Sequence, residues 1–108
     1  MTTITIYKSN ENGYRRFTCK GHSGFAMSGK DIVCASISIL VINTINSLEE
    51  ITHEEMVVKD DEATGFIDCQ FPNRISLQSE VLLDSMILGL KTIAEQYGKY
   101  VRLKFEEV

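Results

Sequence analysis

Apolar and polar residues alternate from the start of the chain. Ile4 and Ile6 fall on one side and Thr3, Thr5 and Tyr7 on the other, the period of a half-buried strand. The cluster Ser9-Asn10-Glu11-Asn12-Gly13 carries turn chemistry. Residues 14–20 alternate again, with Arg15, Phe17 and Cys19 opposite Tyr14, Arg16 and Thr18, so the pattern predicts a hairpin. A glycine-rich stretch, residues 21–30, predicts a loop. The period then changes. Val33, Ile37, Leu40, Val41, Ile45 and Leu48 recur at helical spacing, and Ile39 and Ile42 widen the apolar face. The β-branched residues favour a strand, but the length of the segment decides for a helix over 32–50, with Asp31 as its N-cap.

A second hairpin is predicted over 54–60 and 66–71, joined by the turn Asp60-Asp61-Glu62-Ala63-Thr64-Gly65. Ile67, Cys69 and Phe71 share one face of its second strand. Ser76 caps a second helix over 77–97, with Leu82, Leu83, Met86, Ile87, Leu90, Ile93, Ala94 and Tyr97 on its core side and Gly98 closing it. A last strand over 100–105 turns Val101, Leu103 and Phe105 inward. The order ββ-α-ββ-α-β implies an α+β fold, a mostly antiparallel sheet with two helices, spanning residues 1–108 as one domain.

Composition narrows the function. The 108 residues hold 11 Lys+Arg and 15 Asp+Glu, a formal charge of −4, which argues against general nucleic-acid binding. The longest apolar run, residues 32–42, is short of the roughly 20 residues that cross a membrane. No signal-peptide pattern opens the chain, so a cytosolic location is expected. The three cysteines, Cys19, Cys34 and Cys69, do not form a disulfide spacing, and thiols are expected.

Chemistry concentrates between Gly21 and Cys34. Cys34 is placed in the first turn of the predicted helix, where unpaired N–H groups and the helix dipole favour a thiolate, the nucleophilic form. His22 sits on the glycine-rich loop twelve residues earlier and can fold back over the helix start. A Cys–His pair is the machinery of acyl transfer: the imidazole takes the thiol proton, sulfur attacks a carbonyl, and the imidazole protonates the leaving amine. The pattern alone leaves other readings open. A cysteine at a helix start is often only a small core residue, His22 a loop histidine and Asp31 only a cap. Cys19, His22 and Cys34 with Cys69 or His53 form a poor zinc set, because the paired ligand spacing is missing, so no metal is expected. Cys19 and Cys69 read as packing residues. His53 reads as a helix-end residue and the acidic turn at Asp60 as solvated. Phe25 and Met27 are candidates for covering substrate, an interface or the core.

Gly21-His22-Ser23-Gly24-Phe25-Ala26, followed by Gly29-Lys30-Asp31-Ile32-Val33-Cys34-Ala35-Ser36-Ile37-Ser38, resembles the signature of the bacterial ribosomal-processing cysteine proteases, the Prp family. The likeness extends to Leu88-Gly89-Leu90-Lys91 in the second helix. It departs at Ser23 and Ser36, where alanine is more usual. The resemblance implies a peptidase that removes a short N-terminal extension from a large-subunit ribosomal protein, the twenty-seventh in the standard list. It also implies an α+β fold, a homodimer and no cofactor. Catalysis is then assigned to His22 and Cys34. Asp31 has a capping role or orients His22, and Gly21, Gly24 and Gly29 give the loop its freedom. A different class, a non-catalytic ribosome-associated peptide-binding module, shares the same motif.

Overall fold

The computed structural model describes residues 1–21, 28–61 and 64–108, with the backbone alone at 28–31. The elements are β1 (Thr2–Ser9), β2 (Gly13–Lys20), α1 (Ser28–Glu50), β3 (Val57–Asp61), β4 (Phe66–Gln70), α2 (Leu77–Gln96) and β5 (Val101–Glu107), in the order the sequence predicts. The strands form one sheet in the order β3-β4-β2-β1-β5. Three pairings are antiparallel and the fourth, β1 with β5, is parallel, so the sheet is mixed. The cause is connectivity. Each helix returns the chain to the start of a strand running the same way as the one it left, from β2 through α1 to β3 and from β4 through α2 to β5.

One face of the sheet carries Ile4, Ile6, Phe17, Cys19, Cys69 and Phe71, all buried. Val33, Ile37, Val41 and Leu48 of α1 and Leu83, Met86, Ile87 and Leu90 of α2 close the core over them. Ser76 caps α2 as predicted: its hydroxyl accepts from the Ser79 N–H at 3.1 Å. Gly89 lies where the helices cross, and a Cβ there would meet Leu40 Cδ2 at 2.7 Å.

Three expectations are corrected. The helix predicted from residue 32 begins at Ser28, which puts Asp31 inside its first turn instead of at the cap. Once a long helix exists, each added residue gains a hydrogen bond without a new nucleation cost, which explains the extra residues. The predicted part of the helix, Ile32–Glu50, is by itself long and apolar enough to cross a membrane by length and composition, with a mean hydropathy of 1.6, although its longest unbroken apolar run is short. In this fold it is a core helix, with Val33, Ile37, Val41 and Leu48 buried in the core cluster. Strict alternation in β2 also fails. A register shift between Tyr7 and Lys8 pairs Lys8 with Tyr14, and Arg15 has no partner in the ladder. Tyr14 turns to the helix side, where its hydroxyl donates to Asp84 of α2. Burial and that carboxylate push the Tyr14 phenol above its ordinary value.

The opposite face of the sheet is polar but not all exposed. Asp68 is buried there, and Arg16 donates to it twice, from Nε at 2.8 Å and Nη2 at 2.9 Å. Burial alone would raise the Asp68 carboxyl. The bonds from Arg16 and Gln70 outweigh it and hold the group below its ordinary value of 3.8. A depressed carboxyl contributes stability above the unfolded-state value and loses it as pH falls through the folded-state value. Arg16→Ala leaves the carboxylate without its partner and is expected to cost about 1–3 kcal/mol at neutral pH. Urea unfolding at a series of pH values checks this: the gap from the parent protein closes only as pH drops below about 4.

Candidate active site

The chain leaves the sheet at Gly21, and this residue has little freedom. Its φ is +97°, and a Cβ would strike the Met1 carbonyl oxygen. Its own carbonyl accepts from Thr2 Oγ1 at 2.8 Å. A glycine is required here because the backbone is left-handed and closely approached. Gly21 therefore sets a fixed exit direction, whereas the sequence assigned it to loop freedom. His22 and Gly24, with Phe25 and Met27, lie outside the described residues. Gly29 belongs to the first turn of α1 and not to a loop.

Cys34 lies six residues beyond Ser28, in the second turn of α1, and is half-buried. The expectation of a first-turn position is corrected accordingly. The N–H groups a helix leaves unpaired belong to its first four residues, here 28–31. Val33 is buried in the core, so the next residue emerges at the edge of the contact between α1 and the sheet. The other two thiols lie deeper. Burial, and secondarily the nearby Cys34, pushes the Cys19 thiol up to about 11. Burial, and secondarily Asp68, pushes Cys69 up to about 12. Both are packing residues, as the strand alternation predicts.

A trough of about 210 Å³ runs between α1 and the β3–β4 hairpin. Ser38, Val41 and Ile42 line it from the helix, Asp60, Asp61, Phe66 and Ile67 from the hairpin, and Cys19 from β2. Cys34, Ser38 and Ile42 follow one another at i, i+4 and i+8, which places them along one line of the helix. The thiol therefore belongs to the same side of α1 as the trough. Sequence reasoning singled out Cys34 and missed the trough. The i, i+4, i+8 spacing was its visible signal, but the facing wall comes from a strand about 20 residues away.

The full chain resembles known proteins of one kind. The model of a family described as cysteine protease Prp matches residues 1–102. The Bacillus subtilis protein named ribosomal processing cysteine protease Prp is 28% identical over 107 residues, covering 95% of this chain and 96% of that protein. Its Staphylococcus aureus counterpart of the same name is 26% identical over 106 residues, covering 98% and 100%. The structure of the S. aureus protease in complex with a covalently linked product peptide superposes with a TM-score of 0.88 at 25% identity, covering 98% of this chain and 100% of that one. The match along nearly the whole chain places this protein in the Prp family of cysteine proteases.

Proposed function

We propose that this cysteine protease acts in the cytosol and removes a short N-terminal extension from a large-subunit ribosomal protein, the twenty-seventh of that set. Cys34 is the nucleophile and His22 the general base and acid. The observation that carries this reading is the position of Cys34: of three thiols it alone escapes burial, and it lies on the same line of α1 as Ser38 and Ile42, which line the trough. The relatives named as ribosomal processing proteases support the substrate class.

The imidazole of His22 accepts the thiol proton and sulfur attacks the scissile carbonyl. The tetrahedral intermediate then collapses as the imidazole protonates the departing amine. Water hydrolyses the acyl-enzyme by the reverse proton path. The unpaired N–H groups of residues 28–31 are the nearest backbone donors for an oxyanion. Asp31, one turn before Cys34, is assigned to orienting His22, and Gly24 to letting the segment between strand and helix adapt to substrate. The chemistry needs no cofactor.

A homodimer is part of the same reading. Ile32 and Ile39 of α1 and Val81 and Leu88 of α2 are exposed, each pair seven residues apart on its helix. Apolar side chains repeated at this spacing favour association through the helical layer.

Three measurements test the reading. Incubation with the extended ribosomal protein is expected to yield a product shortened at its N-terminus. Cys34→Ala is expected to lower the rate on the order of 10³-fold or more, and equal cleavage by both forms rejects the nucleophile. In the folded protein at neutral pH, iodoacetamide is expected to alkylate Cys34 before Cys19 and Cys69. Those two stay protonated until pH approaches about 11 and about 12. Labelling of either at the rate of Cys34 contradicts the assignment. In sedimentation, the parent protein is expected to run as a dimer and Ile39→Glu as a monomer. A monomeric parent at high concentration removes the dimer from the reading.

A further inference from the structure

The trough beside α1 has a chemistry of its own that bond cleavage does not use. β3 is one edge strand of the sheet, and all five of its residues are exposed. Val58 pairs with Cys69, which puts it on the helix-facing side, yet it is 41% exposed. Asp60 pairs with Ile67 and shares that side. Its neighbour Lys59 pairs with Asp68 and projects to the opposite face. Asp60 and Asp61 both border the trough, with Asp60 on the side of its apolar floor of Ile42, Ile67 and Cys19. Among the described residues, no ion pair engages Asp60 and no basic side chain lines the trough.

An apolar floor bordered by the consecutive carboxylates of Asp60 and Asp61 is complementary to one kind of side chain, a long aliphatic stem with a cationic head. We propose that the trough is a specificity subsite for a Lys or Arg of the substrate peptide, its stem lying on Ile42 and Ile67 and its head group meeting Asp60. The proposal rests on the protease reading above. It also sets a position along the substrate. Ser38 and Ile42 lie about 6 and 12 Å along the helix from Cys34. An extended peptide advances about 3.3 Å per residue, so the selected residue stands roughly two to four positions from the scissile bond. An exposed pair of this kind gains little, so the discrimination is modest and sensitive to salt.

The test uses the full chain carrying Cys34→Ala and a fluorescein-labelled peptide. The peptide spans the extension and the first residues of the mature ribosomal protein, with a lysine two to four positions from the cut. A second peptide has glutamine in place of that lysine, and a third has glutamate. Fluorescence anisotropy reads binding. Asp60→Asn is expected to weaken the lysine peptide about two- to five-fold and leave the glutamine peptide unchanged, with the difference vanishing at high salt. Asp60→Lys is expected to reverse the order and favour the glutamate peptide. Equal weakening of the lysine and glutamine peptides by Asp60→Asn overturns the proposal, as does no change with either, and so does failure of the lysine peptide to bind. Cleavage by the Cys34-containing protein is followed in parallel. Failure to cleave counts against the protease reading alone, because the binding comparison decides Asp60 without turnover.

Discussion

The burial of Val33, Ile37 and Val41 against the sheet sets the position of everything else. Full burial of an aliphatic side chain contributes roughly 1.5–3 kcal/mol, and these three sit at 1%, 1% and 0% exposure on one face of α1. That contact determines the rotation of the helix about its axis. With Val33 pointing into the core, Cys34 turns about 100° away and reaches the boundary between core and solvent. The proposed nucleophile needs both sides of that boundary, because such a thiol must be held still by packing and still meet a peptide. A one-residue shift in the register of α1 would bury the sulfur or expose the core.

The trough follows from a mismatch of widths. Each helix is about 10 Å across and covers about two strands spaced about 4.8 Å apart. Two helices therefore cover about four strands, and the sheet has five. β3 is the strand left over, which is why Val58 is exposed on the helix-facing side. The flank of α1 and the uncovered strand make a groove without any dedicated cavity in the core. The polar face of the sheet is held differently, by Arg16 clamped on the buried Asp68 across the β2–β4 pairing.

The Gly21-His22 motif has a separate physical cause for its first residue. Gly21 passes against the backbone at Met1 and Thr2 with a positive φ. Any side chain there would push the chain off the sheet and change the direction in which the next residue leaves. The glycine is a positioning device at the foot of the segment. Helical backbone at Ser28 and Gly29 shortens that segment from the other end.

Much was legible in the residues alone, and the reason is locality. Period-2 alternation in β1, the helical spacing of Val33 to Leu48 and the Ser76 cap all depend on neighbours within a few positions, so the order of elements and both helices could be read directly. The Gly-His and Asp-Ile-Val-Cys segments carried the family for the same reason. Long-range pairing was different. The parallel β1–β5 pairing, the bulge that turns Tyr14 toward Asp84, the burial of Asp68 beneath Arg16 and the facing of Asp60 across to Ile42 join residues far apart in the chain. The free energy of such contacts depends on which surfaces meet, and no local pattern encodes that. The chain by itself determined its elements and where Cys34 falls in its first helix, and the packing of two helices on five strands decided what that thiol faces.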